Sequence, residues 1–496
     1  MVTIKNRNID ESNMKIAEKT SDPVVNLALD TVEIKKQALV FVNAKRSAEK
    51  VAEDISKKSP LKSAELDKLS ESIRNVLSKP TKQCERLAGA VKHGIAFHHA
   101  GLHSKQKELV EDSFRSGLIK IICCTPTLAA GIDMPAFRSI VRDVKRFGMH
   151  GMAHIPVLEF LQMAGRAGRP KYDSFGENIV IAQTETDKEF IVEHYLKGIP
   201  EDIYSKLAVE PVLRTYLLSL ITARIIGSRD SILDFFSRTF WAHQYKDLDK
   251  MSKIIDRTLK LLIEWGFLQE MKEGFRSTVI GKRVAELYLD PLTAFNLLNR
   301  LERATHITLK SVSFLHAVSN TLEMRPLLRV KQKEFEEISQ KYALLESYLL
   351  EHEPSMFEPE YEGWLDSIKT ALMLEDWIDE KDEEWVLEKY DSRPGETRAK
   401  IDNADWLLYS CHELARLMQY QDLLKEITKV RLRLKYGVKE ELLPLIRLES
   451  IGRVRARKLH RAGIKDLGDI RKVSIDKLSD VLGAAVAKSV KEQVGA

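Results

Sequence analysis

Apolar and polar positions along the first 200 residues follow the pattern of strands that alternate with helices. The apolar runs that predict strands are ALVFVN (38–43), IAFHHAGL (95–102), IKIICCTPT (119–127), FRSIVRDVKRF (137–147) and NIVIAQT (178–184). Helical spacing occupies 45–58, 61–93, 104–116 and 156–168. Near-continuous apolar strands that alternate with helices indicate a parallel sheet covered on both faces. We therefore expect residues 1–200 to form one α/β domain.

Beyond residue 200 the pattern becomes mostly helical. Within 201–290, the segment FLQEMKEGFRSTVIGKRVA places two β-prone pieces around Glu273-Gly274, which predicts a small hairpin. Helices followed by a hairpin favour a winged-helix domain, and a helical bundle with a chance turn is the alternative. Residues 291–435 predict a long helical domain and residues 436–496 a small end module. The expected fold class is multidomain, α/β followed by mostly α.

Composition and charge narrow the class of protein. With 44% hydrophobic and 30% charged residues, the 496-residue chain fits a soluble globular protein of several domains. The polar start MVTIKNRNID is no signal peptide, and no apolar run is long enough to span a bilayer. The four cysteines lack metal-binding spacing, so we expect a reducing cytoplasmic setting and no metal centre.

The basic charge is concentrated at the end of the chain. Residues 444–496 carry 12 Lys+Arg against 6 Asp+Glu, whereas the whole chain has a net charge of +5. A basic end module on a nearly neutral body is typical of a protein that binds a polyanion. A solubilising tail is the alternative, but the apolar periodicity of this segment predicts that it folds.

The segment QMAGRAGRP (162–170) has the residue types expected for binding a polyphosphate. On a continuous helix, Gln162, Arg166 and Arg169 would share one face, and small residues between them would leave that face open. Guanidinium groups suit planar, multiply charged ligands. A solvated basic helix end is the alternative.

A second group of polar residues follows the predicted strand 119–127. Thr125 and Thr127 offer hydroxyls to phosphate oxygens, and Gly131 and Asp133 follow in the same loop. Ligands of such sheets bind at the carboxyl ends of the strands. Helix capping would account for any one of these residues, but less well for the whole ordered set.

The segments VFVNAKRSAE, FHHAGL, TPTLAAGIDMP and QMAGRAGRP, in this order, resemble the later motifs of superfamily-2 nucleic-acid helicases. These motifs lie in the second of two RecA-like motor domains. The downstream layout is similar to that of archaeal HelQ-type DNA helicases of the Ski-like group. This finer resemblance rests on LDPLTA (289–294), the segment around Trp406 and LIRLESIGRVRARKL (445–459).

The resemblance implies domains and roles for the motor residues. It implies a second motor domain (1–200), a winged helix (201–290), a helical ratchet domain (291–435) and a helix-hairpin-helix module (436–496). Arg166 and Arg169 match arginine fingers that reach the γ-phosphate of ATP on the other motor domain, and Gln162 matches the glutamine that couples the same site. Gly131 and Asp133 match the segment nearest the nucleotide, and Thr125 matches a contact to the nucleic-acid backbone.

The sequence departs from the family in one large respect. It contains no GxxxxGK[ST] phosphate loop and no DExH box, and its only Gly-Lys pair, Gly281-Lys282, lacks the upstream glycine. We therefore expect ATP and Mg²⁺ to be used only together with a first motor domain. This chain by itself is expected to be inactive, as a family member without that domain.

The resemblance also implies a wedge that separates the strands of a duplex. The segment 141–156 matches a β-hairpin, with Gly148 and Gly151 flanking its turn. Phe147 and Met149 are the residues expected to stack on the last base pair. An ordinary surface hairpin is the alternative.

Two further segments match contacts to single-stranded DNA. Trp406 matches the stacking tryptophan of the ratchet helix, whereas the basic position one heptad earlier is Ala399 here, so Arg398 or Lys400 would have to replace it. Trp364, Trp377 and Trp385 are expected in the core. In the end module, Gly452 allows the tight turn, and Arg453, Arg455 and Arg457 would surround a DNA backbone. Leu482-Gly483 repeats this spacing, and a helical cap with solvated arginines is the alternative.

The sequence thus predicts the C-terminal part of an ATP-dependent 3′–5′ DNA helicase that unwinds branched or forked DNA in repair or replication. The expected partners are single-stranded and forked DNA and a first motor domain in trans, with no membrane and a monomeric state. An RNA helicase of the same superfamily is one alternative. A non-catalytic, structure-specific DNA-binding protein is the other. Fork preference and protein partners do not follow from the sequence.

Overall fold

The computed structural model describes residues 2–5, 8–10, 16–77, 79–131, 134–148, 151–168 and 173–495, with side chains from residue 16 onward except at 130 and 131. The chain divides into two compact units. The first comprises residues 1–202 and 383–398, and the second comprises residues 203–382 and 399–496. Within the described ranges, no helix is both long and apolar enough to cross a membrane.

The first unit contains a seven-stranded sheet and a separate two-stranded hairpin. The sheet strands are β1 (Val2–Lys5), β2 (Asn8–Asp10), β3 (Ala38–Phe41), β4 (Ile95–His98), β5 (Ile121–Cys124), β6 (Arg138–Val141) and β9 (Glu177–Val180). The hairpin strands are β7 (Lys145–Gly148) and β8 (Gly151–His154). The first helices are α1 (Pro23–Glu33), α2 (Lys45–Ser56), α3 (Ala64–Arg74), α4 (Lys82–Val91), α5 (Ser104–Arg115), α6 (Thr127–Gly131), α7 (Val157–Ala164) and α8 (Glu185–Ile191). A π-helical turn, Val192–Leu196, continues α8.

The sheet order confirms the expected parallel α/β core. The strands run β2-β1-β9-β6-β3-β5-β4, and the five from β9 to β4 are parallel, whereas β1 and β2 add an antiparallel edge. All four residues of each of these five strands are buried. Because helices cover both faces of the sheet, every residue of these strands is buried. This two-sided burial explains the continuous apolar runs in the sequence.

Three predicted elements differ from the structure. The predicted helical stretch 61–93 is two helices, α3 and α4, separated by residues 75–81. The predicted strand 137–147 is interrupted, because β6 ends at Val141 and β7 begins at Lys145. The predicted helix 156–168 ends at Ala164, where the backbone N–H of Gly165 closes the last turn on the Leu161 carbonyl. The interpretation that Arg166 shares a helix face with Gln162 was therefore wrong.

The second unit is mostly helical. The chain returns to the first unit for residues 383–398, which include one complete helix. The elements of the second unit as far as the ratchet region are α9 (Glu210–Thr222), α10 (Arg229–Ser237), α11 (Phe240–Tyr245), α12 (Leu248–Glu264), β10 (Leu268–Met271), β11 (Gly274–Ser277), α13 (Val279–Glu286), α14 (Pro291–Ala304), α15 (Ser311–Ser319), α16 (Phe335–Leu345) and α17 (Tyr361–Ile378). Helix α18 (Glu383–Tyr390) belongs to the first unit. The remaining helices are α19 (Pro394–Leu417), α20 (Gln421–Tyr436), α21 (Arg453–Arg461), α22 (Leu467–Lys472), α23 (Ile475–Leu482) and α24 (Ala484–Gln493). The first residues of α19, up to Arg398, belong to the first unit. Short 3₁₀ turns lie at Gln332–Glu334, Glu346–Tyr348, Glu440–Leu442 and Leu445–Arg447.

The predicted hairpin after α12 is present, with its turn one residue earlier than expected. Strands β10 and β11 pair antiparallel, and Met271 opposes Gly274, so Lys272 and Glu273 form the turn. Gly274 has φ +132, and a Cβ there would lie 2.3 Å from the Gly227 carbonyl oxygen. A glycine is needed at the start of β11 because the backbone of Gly227 lies too close to Gly274 to leave room for a side chain.

The end module has its own small core. Apolar residues from the linker after α20 and from α21 to α24 are buried together, among them Leu442, Ile451, Leu459, Leu478 and Val490. The expectation that the basic end of the chain folds is therefore confirmed.

Helix α17 carries a buried carboxyl group whose ionisation opposes folding. Burial, with Asp379 and Asp376 nearby, raises the pKa of Glu375 to about 7, against the weaker effects of Arg433 and Lys310. An acid whose folded pKa exceeds its unfolded pKa lowers the free energy of unfolding as pH rises between the two values.

We expect Glu375→Gln to stabilise the protein at pH 8 by about 1–3 kcal/mol and to leave it nearly unchanged at pH 4.5, because an amide avoids the ionised state. Urea unfolding followed by intrinsic fluorescence tests this, since Trp364 and Trp377 lie on the same helix. A pH-independent effect of the substitution would contradict the assignment.

Candidate nucleic-acid and nucleotide interface

The carboxyl ends of β3, β4 and β5 open onto a cavity of about 790 Å³, here called the strand-edge cavity. It lies within the first unit and is lined by Asn43, Ala44, Lys45, Arg46, Ala100, Thr125, Pro126, Thr127, Arg146, Pro156, Leu158, Glu159, Gln162 and Arg393. The structure thus brings together Thr125 and Gln162, which the sequence analysis had assigned to different motifs. A binding site at this edge is what the topology of a parallel sheet favours.

Uncharged polar groups form one part of this lining. The hydroxyl oxygens of Thr125 and Thr127 lie 2.9 Å apart, directly after β5. The side chain of Gln162 is exposed on α7. Hydroxyl and amide groups can donate to phosphate oxygens without fixing a base sequence.

The basic residues of the cavity are held in ion pairs. Arg46 donates two 2.9 Å bonds to Asp391, and Arg146 donates to Glu159 at 2.7 Å. Lys45 pairs with Glu396, and Arg393 lies 3.3 Å from Glu49. A phosphate entering the cavity would have to compete with these carboxylates, so the basic residues act as exchangeable contacts. Sequence analysis did not single out these residues, although Lys45 and Arg46 belong to the quoted segment VFVNAKRSAE.

Glu49 is the buried centre of these ion pairs. Burial alone would raise its pKa, but hydrogen bonds from His99 and Gln83 and the charge of Arg393 lower the pKa of Glu49 to about 2. His99 accepts from the Gly101 N–H at Nδ1, which leaves Nε2 to donate to Glu49 at 3.2 Å. The FHHAGL segment therefore has a structural role at the sheet edge, where its histidine fixes a carboxylate that in turn holds Arg393.

Arg166 lies beyond the end of α7 and contacts α6. Its Nε donates to the Ala129 carbonyl oxygen at 3.0 Å, and an Nη2 contact reaches the same oxygen. Within the described part of the chain, no carboxylate neutralises this guanidinium. The assigned residues Arg169, Asp133 and Met149 lie outside the described residues, and of Gly131 only the backbone, at the end of α6, is described.

The predicted wedge is a separate hairpin that projects from the sheet. Phe147 pairs with Met152 and Gly148 with Gly151, so the two glycines flank the turn as expected. The side chain of Phe147 is 80% exposed. A large apolar ring so exposed on a two-stranded projection is available to contact a ligand.

In the second unit, Trp406 is half-buried on α19. Its indole N–H donates to the Leu287 carbonyl oxygen at 3.1 Å, which fixes the ring orientation. Arg398 and Ala399 are exposed, whereas Lys400 is buried and donates to the Pro326 carbonyl oxygen. The interpretation that Lys400 replaces the missing basic contact was wrong, because its ammonium group points into the protein. Of the tryptophans expected in the core, Trp364 and Trp377 are buried, and Trp385 is only partly buried.

One turn beyond Trp406, the same helix carries a partly exposed aromatic residue that sequence analysis missed. The guanidinium of Arg431 lies 5.0 Å from the Tyr409 ring centroid, and Arg283 donates to the Tyr409 hydroxyl at 3.2 Å. Aromatic residues beside cations are typical of surfaces that bind single strands. The i, i+3 spacing from Trp406 was the signal that could have identified this residue.

The arginines of the end module differ in their surroundings. Arg457 pairs with Glu380 and Glu441, and Arg453 lies 5.0 Å from the Trp377 ring centroid and donates to the Lys381 carbonyl. Arg455 is exposed and donates to the Ser450 carbonyl oxygen. Gly452 stands at the start of α21, as the predicted turn requires.

Comparisons with known proteins agree with this arrangement. A family profile described as "Helicase conserved C-terminal domain" matches residues 70–171, which include Thr125, Gln162 and the hairpin. A helix-turn-helix domain profile matches 176–269, and one described as "Archaeal helicase, domain 4" matches 312–437.

Full-length relatives decide the family. The chain is 39% identical over 481 residues to "ATP-dependent DNA helicase Hel308" of Pyrococcus horikoshii, which covers 95% of this chain and 65% of that protein. It is 34% identical over 542 residues to the protein of the same name from Methanococcus vannielii, which covers 99% and 70%. The chain belongs to the Hel308 family. It spans 65% of the length of the two Pyrococcus relatives that it matches.

Membership in the Hel308 family confirms the general resemblance to superfamily-2 DNA helicases. The helicase C-terminal profile falls on the parallel-sheet unit, whereas the other two profiles fall mainly or wholly on the helical region. The boundaries of the matched profiles differ from those of the predicted domains. The helix-turn-helix match begins before residue 201 and ends at residue 269, before α13.

Proposed function

We propose that this chain is the C-terminal part of an ATP-dependent 3′–5′ DNA helicase that opens branched or forked DNA, and that it lies close to the HelQ-type group. In this proposal residues 1–200 form the second motor domain, 201–290 a winged helix, 291–435 the ratchet domain and 436–496 a helix-hairpin-helix module. The supporting observation is the strand-edge cavity, where Thr125, Gln162 and the root of the hairpin meet.

The cavity would hold the backbone of the strand on which the enzyme moves. Thr125 and Thr127 would donate hydroxyl hydrogens to phosphate oxygens, and Arg46 would exchange Asp391 for a phosphate. Such contacts carry no base specificity, as a motor that moves along any sequence requires. Phe147, with Met149, would meet the first base pair of the duplex.

Arg166 and Arg169 would face the nucleotide, with Gln162, Gly131 and Asp133 nearby. Arg166 would suit this role because a guanidinium matches the geometry of phosphate oxygens, and its Nε donates to the neutral Ala129 carbonyl. ATP with Mg²⁺ supplies the phosphoryl group whose transfer drives movement, and a first motor domain outside this sequence would hold both. The arginines of this chain would stabilise the charge that develops during transfer.

The helical region would hold DNA beyond the motor. Trp406 and Arg398 would contact bases of the single strand, with Tyr409 beside them. Gly452 would allow the tight turn of the end module, whose Arg453, Arg455 and Arg457 would contact the backbone. Because Arg457 already pairs with two carboxylates, its contribution would require those pairs to open.

DNA rather than RNA is the proposed substrate, and the relatives, each named an ATP-dependent DNA helicase, support this choice. Equilibrium binding to a 3′-tailed DNA duplex and to the matching RNA duplex would distinguish the two. Equal or tighter binding to RNA would favour the RNA helicase alternative. A purely structural DNA-binding role predicts binding to forks but no turnover in any assembly, and the measurements in the Discussion test it.

The hairpin role makes a separate prediction. Phe147→Ala should lower the rate of duplex unwinding by about five- to tenfold in the complete assembly, because one stacking contact of about 1–1.4 kcal/mol is lost. ATP hydrolysis stimulated by single-stranded DNA should change little. Phe357→Ala, which removes a 90% exposed ring from the second unit, is the matched control. An equal loss of hydrolysis and unwinding in Phe147→Ala would show that Phe147 is not a wedge.

A further inference from the structure

The hairpin of β7 and β8 has two different faces. Residues opposite each other in an antiparallel pair project to the same side, so Lys145 with His154 and Phe147 with Met152 share one face, here called the outer face. Arg146 projects to the other side and lines the strand-edge cavity. The hairpin thus lies between the strand-edge cavity and any ligand bound to the outer face.

The outer face carries more exposed apolar surface than a short hairpin needs. Phe147 is 80% exposed and Met152 63% exposed. These two residues do not pack into the core of the first unit, and a hairpin of four-residue strands gains no stability from such exposure.

An aromatic row continues from the outer face onto α8 and the π-helical turn. The His154 and Phe190 ring centroids are 4.3 Å apart, and Phe190 stacks on His194 at 4.9 Å with an interplanar angle of 22°. All three side chains are exposed. Partial desolvation of its ring and the charges of Lys145 and His194 lower the pKa of His154, against the raising effect of Asp187.

Tyr195 fixes this row to the base of the hairpin. Its hydroxyl donates to the Ile155 carbonyl oxygen at 2.9 Å, and the Val144 carbonyl oxygen lies 3.2 Å away. These carbonyls flank the two hairpin strands. The π-helical turn that carries Tyr195 therefore holds His194 and Phe190 in a defined position beside β8.

A small cavity of about 220 Å³ lies between the hairpin root and α8. Its lining includes Met152, His154 and Phe190, together with Lys145 and the exposed amide of Gln183. This volume is below that of pockets for drug-sized ligands, and a single planar ring with hydrogen-bonding edges suits it better. The Gln183 amide can both donate and accept.

The charged residues that line this cavity are balanced, with Arg142 and Lys145 beside Asp143 and Asp187. Asp143 accepts from the Asn43 N–H and Asp187 accepts from the Thr184 hydroxyl, so both carboxylates are engaged. Lys145 is exposed and forms no ion pair with any described residue. Exposed aromatic rings beside an exposed lysine are a combination that binds unpaired nucleotides.

From this geometry we infer that the outer face and its aromatic row form a binding site for the bases of the displaced strand. The inference rests on the proposed helicase function, since it places the duplex junction at the hairpin. The strand in the strand-edge cavity would pass on one side of the hairpin, and the strand separated from it would stack its first unpaired bases on Met152, His154 and Phe190.

Equilibrium binding of the whole chain to three preformed DNA substrates tests this inference. One is a duplex with a 3′ tail only, the second also carries a 5′ arm of thymidines, and the third carries an abasic 5′ arm of equal length. The abasic arm keeps the phosphate charges but removes the bases. We expect the thymidine arm to bind at least about fivefold tighter than the abasic arm, as loss of base stacking predicts.

The double variant His154→Ala/Phe190→Leu should abolish the difference between thymidine and abasic arms while leaving affinity for the 3′-tailed duplex unchanged. Phe190→Leu retains apolar packing, and His154→Ala alone, at an exposed position, provides a second test that does not threaten folding. Phe240→Leu/His243→Ala, an exposed stacked pair elsewhere, is the matched control. Equal affinity for thymidine and abasic arms in the unmodified chain, or a preference that survives in the double variant, would overturn the inference. Loss of all binding to the 3′-tailed duplex by the unmodified chain would instead contradict the proposed function.

Discussion

Arg166→Ala should reduce DNA-stimulated ATP hydrolysis by about 10³-fold or more in an assembly that contains both motor domains, since arginine fingers contribute 10³–10⁵ to such rates. The guanidinium lies just past α7 and has a neutral carbonyl as its described partner. Its loss therefore removes a charge from the side proposed to face the nucleotide without breaking an ion pair between described residues. Affinity for single-stranded DNA should remain within about twofold, because the Thr125 side of the cavity is unchanged.

Steady-state hydrolysis with saturating single-stranded DNA is the measurement. Arg115→Ala is the matched control, since that arginine is exposed and its ion pairs with described residues are to Glu111 and Asp112 of its own helix. Arg166→Lys should retain little activity, because an ammonium group cannot form the planar, bidentate contacts of a guanidinium. Full turnover in Arg166→Ala would disprove the finger assignment.

Arg138→Met should destabilise the first unit by about 3–5 kcal/mol, the usual cost of breaking a buried ion pair from one side. Arg138 is 2% exposed at the start of β6, where it faces Glu177 of the neighbouring strand at 2.6 Å. It also contacts Asp30 and the Thr31 hydroxyl of α1. Removing the cation would leave Glu177 buried without its ion-pair partner.

Hydrogen exchange of the β3 and β6 backbone amides measures this effect, since both strands lie in the centre of the sheet. We expect exchange through global opening to accelerate at least about a hundredfold. Adding Glu177→Gln to Arg138→Met should recover part of the loss, because the buried carboxylate is then absent. Unchanged protection in Arg138→Met would mean that the pair contributes little to the stability of the sheet.

The parallel sheet and its helices could be predicted because burial on both faces leaves continuous apolar runs in the sequence. The hairpin could also be predicted, since Gly148 and Gly151 mark its turn. The end of α7 could not, because QMAGRAGRP suits a helix locally and only the structure shows that Arg166 turns toward the Ala129 carbonyl.

The candidate site was predicted only in part, for a similar reason. Thr125 and Gln162 were found because their motifs end at strand edges. Arg393 and Glu396 reach the same edge from a segment more than 200 residues away, and no local pattern indicates this. For Lys400 and Arg457 the sequence shows a positively charged side chain. It does not show that Lys400 donates to a carbonyl or that Arg457 is ion-paired with a carboxylate.

The aromatic row beside the hairpin also escaped sequence analysis. His154, Phe190 and His194 are spread over 41 positions, and their alignment depends on the π-helical turn. Such turns have no distinct apolar period, so no pattern in the sequence indicated this row.

We propose that this sequence carries the arginine side of an ATP-driven motor and not the phosphate-holding side. The direct measurement is ATP hydrolysis by the purified chain, with and without saturating single-stranded DNA, and then with a first motor domain of a Hel308 relative added in trans. The account predicts no turnover by the chain alone and DNA-stimulated turnover after the addition, sensitive to Arg166→Ala. DNA-stimulated turnover by the chain alone would contradict the account, because it would require a phosphate-binding site within these residues.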